Sequence, residues 1–191
     1  MRILRAMLAL AAMTAFSAVV LADGYDDTIA RFKKAGATAE YFNSSYGYAV
    51  FPTIGKGGLI VGGAHGSGRV YQGGQYVGDT SVTQVSVGLQ IGGQEYSQII
   101  FFEDKRAFDE FTSGHYEFDA GVSAVAVNAA ASGSAGTTGT SGGTSKTEDE
   151  ATARAGGYYK GVAVFTIIKG GAMAEAALAG QKFTYHPHGS N

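Results

Sequence analysis

Where the glycines fall constrains this chain most. It has 30, and many of them interrupt apolar segments of period two, with no collagen repeat. Alternation of apolar and polar residues means extended chain with one buried face. Glycine inside such a segment marks a tight turn, a bulge or a closely approaching backbone. From Tyr46 onward the chain therefore reads as strands. Val85, Val87, Leu89 and Ile91 alternate with Ser86, Gly88 and Gln90, which predicts a strand burying its aliphatic face. Ile99-Ile100-Phe101-Phe102 is continuous and apolar, so both of its faces should be covered. Tyr116, Phe118, Ala120, Val122 and Ala124 share one face of a further strand, opposite Glu117, Asp119 and Ser123. Arg69 to Gln72 and Gln75 to Val77 flank Gly73-Gly74, a pair suited to the positive φ angles of a two-residue hairpin turn. Val162 to Ile168 is again strand-like, whereas Ala172 to Ala179 is ambiguous because its alanines also favour helix.

Other segments break the period. Residues 24–42 read as helical: Asp26 and Asp27 lie near the start, Lys33 and Lys34 lie before Gly36, and Ile29 and Phe32 form a narrow apolar stripe. A short second turn is expected from Thr38 to Phe42. Asp104 to Phe111 reads as a short helix, with Asp104 as N-cap, Phe108 and Phe111 on one face, and Ser113-Gly114 as its stop. Residues 131–147 are almost wholly Ala, Gly, Ser and Thr. They bury too little apolar surface to repay ordering and are expected to form a flexible loop inside the domain. The expected fold is a single β-rich domain of the α+β class. It should have a mainly antiparallel sheet, sandwich-like or barrel-like, a short N-terminal helix and one short internal helix.

The first 22 residues carry a basic start (Met1-Arg2-Ile3-Leu4-Arg5), an uncharged run from Ala6 to Leu21, and small residues around Val20-Leu21-Ala22. That pattern reads as a secretory signal peptide cleaved after Ala22, and the run is shorter than the roughly 20 residues of a membrane span. No Cys stands at the cleavage point, which closes the lipoprotein route. An exported protein, soluble or peripheral and held in the periplasm or envelope or secreted, is expected. Loss of Arg2 and Arg5 takes the formal net charge of −2 to about −4. Nucleic acid usually demands a basic face and a high pI, so it is excluded as a partner. The absence of Cys also excludes disulfides, thiolate metal sites and Cys nucleophiles.

Most candidate chemistry fails on spacing. Gly55-Lys56-Gly57 lacks the earlier glycine and the following hydroxyl of a phosphate loop. Gly66-Ser67-Gly68 lacks the third glycine of a dinucleotide fingerprint, position 71 being Tyr, and it misses the nucleophile-elbow spacing. His65 and His115 have no partner at ligand spacing, and His186 and His188 bracket Pro187 in a tail that reads as solvated. Glu103-Asp104, Asp109-Glu110 and Glu148 to Glu150 read as solvated acids. Glu175, alone in a small-residue apolar run, reads as an outward-facing residue. No enzyme activity, cofactor or metal is expected.

The positive candidates are basic. Arg31, Lys33 and Lys34 cluster on the N-terminal helix beside Ile29 and Phe32, a composition that can lie at a lipid interface. An internal echo adds two more lysines. Gly47-Tyr48-Ala49-Val50-Phe51 leads to Thr53-Ile54-Gly55-Lys56-Gly57-Gly58, and Gly161-Val162-Ala163-Val164-Phe165 leads to Thr166-Ile167-Ile168-Lys169-Gly170-Gly171. Read as two related strand–turn–strand units, the echo sets Lys56 and Lys169 in equivalent Gly-rich turns. It also aligns Arg69 with Lys182 and makes Ala172 to Leu178 a strand. Read as convergence, these lysines merely solubilise turns.

Tyr46-Gly47-Tyr48-Ala49-Val50-Phe51-Pro52, Lys56-Gly57-Gly58, Gly66-Ser67-Gly68, Val87-Gly88-Leu89-Gln90-Ile91-Gly92-Gly93-Gln94, Phe108 to Phe111, and Gly157-Tyr158-Tyr159-Lys160-Gly161-Val162-Ala163, in that order, resemble the SYLF domain family. The resemblance covers roughly residues 38–186. It departs from the family pattern where Asn128-Ala129-Ala130 stands in place of an expected Gly-Pro. The chain is then divided into a leader (1–22), a helical arm (23–37), the SYLF-like domain (38–187) and a tail (188–191). The resemblance implies a compact, mainly antiparallel β domain and, for some members, binding of phosphoinositides or other anionic lipids. Actin bundling, known for some eukaryotic members, is not expected of an exported chain. The resulting expectation is binding of anionic membrane lipid headgroups, of phospholipid or phosphoinositide type. Arg31, Lys33, Lys34, Lys56 and Lys169 would supply charge, with Ile29 and Phe32 inserting. The alternative is an assembly module that binds an envelope protein through a sheet edge.

Overall fold

Among the described residues after Tyr46, strands take up the larger part, as the period-two pattern requires. The computed structural model describes residues 24–58, 61–87, 94–119, 121–127, 157–170, 178 and 180–189. The expected leader, the 131–147 loop, Glu175 and nearly all of the ambiguous Ala172 to Ala179 segment lie outside these. Among the described residues one sheet holds eight strands: β1 (Gly47–Gly58), β2 (Val61–Gln72), β3 (Gln75–Val87), β4 (Gln94–Phe102), β5 (His115–Glu117), β6 (Ala124–Ala126), β7 (Val162–Gly170) and β8 (Lys182–Pro187). Their order is β5-β8-β3-β2-β1-β4-β7-β6, and only β6 against β7 is parallel. Gly73 and Gly74, at φ 56° and 80°, turn the β2–β3 hairpin.

The sheet curls into a half-barrel. β8 and β1 are three strand spacings apart, about 14 Å across a flat sheet. Yet the rings of Phe183 on β8 and Phe51 on β1 are 5.7 Å apart. Gln181, just before β8, reaches still further. Its Nε2 donates to the Tyr96 hydroxyl on β4 at 3.1 Å, and its Oε1 accepts from Gln98 Nε2, also at 3.1 Å. Glycine permits this curvature: a Cβ on Gly68 of β2 would lie 2.6 Å from Phe51 ring carbons. The interior is filled by Phe51, Ile54, Ile100, Phe102 and Phe183 and closed by a helix at Lys105–Phe111. Asp104 caps that helix, its Oδ1 accepting the Ala107 N–H at 2.8 Å, as expected. Phe111 seals the interior, 4.8 Å from the Phe102 ring and 5.2 Å from that of Phe183.

Two strand readings are corrected. Val85 was expected on a buried face but is 78% exposed. Pairing with β2 sets Ala64 opposite Gln84 and Gly66 opposite Val82, so the even positions of β3 turn inward there and Val85 turns out. The segment from Tyr116 to Ala124 is not one strand: β5 and β6 stand at opposite edges of the sheet, and the chain crosses between them. Phe118 and Val122 are both buried in the interior core, so the spacing marked burial without marking a strand.

The outer face carries Tyr48, Val50, Ile99, Phe101, Phe165 and Ile167. Together with the inner face, this buries Ile99 to Phe102 on both sides, as the continuous run predicts. Residues 24–42 are helical as expected, but where a helix and one short second turn from Thr38 to Phe42 are expected, three segments pack on the outer face: α1 (24–34), α2 (Gly36–Ala39) and α3 (Tyr41–Ser44); the interior helix is α4. Buried Thr38 ends α1 with its single hydroxyl proton shared between the carbonyls of Phe32 and Ala35, orphan acceptors of the last turn.

The echo holds as strands but not as equivalent side chains. Its two segments lie in β1 and β7, on either side of β4, with Ile100 opposite both Ala49 and Val164. The sequence match instead aligns Ala49 with Ala163. A one-residue offset exchanges the two faces of a strand, so Ala49 lies in the interior core and Ala163 in the outer one.

Candidate anion-binding cleft

Helix α1 has three differently used flanks. Thr28, Ile29, Phe32 and Ala35 recur at spacings of three and four and face the sheet. Asp27, Arg31 and Lys34, also at spacings of four and three, project from a second flank. Lys169 lies near the end of β7, two residues beyond Ile167, and shares its outer face. These groups meet in a cleft of about 370 Å³ lined by Gly24, Asp27, Thr28, Ala30, Arg31 and Lys34 of α1, by Pro52 and Thr53 of β1, and by Lys169. Lys169 Nζ donates to Thr53 Oγ1 at 2.9 Å, which fixes the ammonium to the sheet. Partial desolvation of that ammonium lowers its pKa. The positive Arg31 lowers it further, and Glu95 opposes both. Three cations and one carboxylate thus line the cleft, Asp27, Arg31 and Lys34 on the helix wall and Lys169 on the sheet wall.

The structure unites three of the five expected cations and separates two. Lys33 leaves α1 on its third flank, with Nζ 5.3 Å from the Phe42 ring centroid, beside a groove of about 300 Å³ that Asn43 and Tyr48 also line. Lys56 lies within β1, paired with Ala64, and so faces the interior side of the half-barrel. Neither Lys56 nor Lys169 sits in a Gly-rich turn; both belong to strands. The aligned pair Arg69 and Lys182 is also apart. Arg69 is held between the rings of Tyr25 and Tyr76 at 4.3 and 4.9 Å, and Lys182 stands 3.6 Å from Glu117.

The expected insertion of Ile29 and Phe32 is corrected by their burial, at 9% and 0% exposure. An apolar stripe beside an aromatic sheet face is covered within the molecule first, and both side chains dock α1 onto Tyr48, Phe101 and Phe165. The cleft also contains groups that the sequence reading did not assign to a site, namely Asp27, Thr28 and Thr53. Asp27 was readable in principle, since it stands four residues before Arg31. Thr53 was not, because only the fold brings β1 beneath α1. Among the described residues, no three His, Asp or Glu side chains gather as metal ligands, and no helix is long and apolar enough to cross a membrane.

The family model Ysc84, described as a Las17-binding protein actin regulator, matches residues 83–187. Beta cell expansion factor A of Aeromonas veronii is 30% identical over 145 residues, which covers 74% of this chain and 46% of that protein. The chain therefore spans about half the length of that curated relative.

Proposed function

The chain belongs to the Ysc84 family, the SYLF type, and from that premise we propose that it binds anionic lipid headgroups reversibly at an envelope membrane. The family is associated with lipid binding, and the observation that carries the reading here is the convergence of Arg31, Lys34 and Lys169 on one cleft. Lys33 adds charge on the neighbouring flank of α1. With Ile29 and Phe32 buried, contact is by charge at the surface and not by insertion. The protein acts without catalysis, after export on its leader. The actin role in the family's description is not carried over, because an exported chain does not meet cytosolic actin.

Each basic residue near an anionic surface contributes about 1 kcal/mol. Neutralising Arg31, Lys34 and Lys169 together should therefore weaken binding by roughly a hundredfold. The test is co-sedimentation with neutral and anionic vesicles. Binding to anionic vesicles alone, abolished by high salt and by the triple alanine variant, supports the reading. Failure to bind any vesicle, or binding that ignores both salt and the substitutions, refutes it in favour of a protein partner.

A further inference from the structure

The cleft has two walls that belong to different bodies. Asp27, Arg31 and Lys34 ride on α1, while Lys169 is tethered to Thr53 on the sheet. Among the described residues no ion pair joins α1 to the sheet. What holds the helix is the burial of Ile29 and Phe32 and the contact of Tyr25 with Arg69. On the cleft side, cations oppose each other across the joint, and Arg31 disfavours the charged form of Lys169.

We infer that the cleft is a latch. A phosphomonoester-type dianion seated between Arg31 and Lys34 on one wall and Lys169 on the other clamps α1 to the sheet, so that ligand binding and helix docking are one equilibrium. This rests on the reading above that the cleft takes an anion. It adds that the anion joins two elements that otherwise repel there. A dianion matches the excess of two positive charges lining the cleft, and its several acceptor oxygens can bridge both walls at once. Linkage then makes the effect reciprocal: whatever tightens the docking of α1 tightens the anion, and the converse. Free phosphate and the phosphomonoester headgroup of a lipid both offer this dianion, and the chemistry of the seat is the same for either.

Hydrogen exchange of the α1 amides tests this. Inorganic phosphate is compared with chloride at equal ionic strength on the wild type, Lys169→Ala and Lys56→Ala. At a phosphate concentration ten times the dissociation constant, α1 exchange should slow about tenfold in the wild type and in Lys56→Ala, and not at all in Lys169→Ala. Equal slowing in Lys169→Ala, or none in any protein, overturns the latch. Vesicles of phosphatidic acid (a monoester) and phosphatidylglycerol (a diester) form the second arm. Slowing by phosphatidic acid vesicles assigns the dianion to a lipid. Slowing by phosphate with no vesicle binding keeps the latch, assigns it to a free phosphate compound, and ends the lipid reading. Vesicle binding that leaves α1 exchange unchanged sinks the latch and leaves surface binding standing.

Discussion

Replacing Gln181 with leucine tests how the half-barrel is closed. Gln181 is fully buried between β8 and β4, donating to the Tyr96 hydroxyl and accepting from Gln98, which is also fully buried. Gln98 Oε1 has no hydrogen-bond partner, so its amide is held by this one bond. Leucine conserves volume but removes both bonds and strands the Gln98 amide and the Tyr96 hydroxyl away from water. Each stranded buried group costs about 1–3 kcal/mol, and the added apolar burial offsets part of that, which leaves about 2–4 kcal/mol. Urea unfolding should show the midpoint falling by about 1–2 M at an unchanged slope. The triple variant Tyr96→Phe, Gln98→Leu, Gln181→Leu removes every polar member of the brace and strands none, so it should recover most of the loss. A single variant as stable as the wild type would refute the brace, as would a triple variant that loses as much as the sum of its parts.

Gly68→Ala should destabilise by about 1–3 kcal/mol, because its Cβ meets the immobile Phe51 ring; calorimetry that finds it neutral would mean the curl is not set there. Phe32→Ala should cost about 3–5 kcal/mol in denaturant unfolding, as a core aromatic does, whereas a lipid-inserting Phe32 would leave stability alone and weaken vesicle binding. Lys169→Met should stabilise the free protein at neutral pH. The Lys169 pKa is lowered by desolvation and Arg31, so its proton is held less well folded than unfolded. Stability therefore rises with pH between the depressed value and the ordinary 10.5, and the advantage of Met should vanish over that window.

How much could be read in the sequence divides along physical lines. The Gly73-Gly74 hairpin, the Asp104 cap and the doubly buried Ile99 to Phe102 run are local or fixed by composition, and each stands as read. Readings failed where a face had to be assigned. Val85 was placed inward because valine is apolar, but register with β2 decides the matter, and register is a property of pairing partners. Phe118 and Val122 kept their burial while losing their strand, because a chain crossing between sheet edges can bury residues at any spacing. The basic residues of α1 were read as one cluster, yet a helix spreads consecutive positions around its axis: Arg31 and Lys34 share a flank that Lys33 does not. Lys169 reached that flank through folding alone.

A negative protein with a basic cleft also has a particular response to salt. The chain carries a formal net charge of −2, so its overall field should oppose an anionic membrane while the proposed cleft attracts it. These two act at different ranges. The Debye length is about 30 Å at 0.01 M salt, about 8 Å at 0.15 M and about 3 Å at 1 M. At the lowest salt the whole molecule's repulsion reaches the surface. Near 0.15 M that repulsion is largely screened, while Arg31, Lys34 and Lys169 still act on a headgroup inside the cleft. At 1 M even that contact weakens. Binding to anionic vesicles should therefore pass through a maximum at intermediate salt, and the triple alanine variant should lose the maximum. A monotonic fall from 0.01 M in the wild type would mean that a broad basic surface, and not this cleft, meets the membrane.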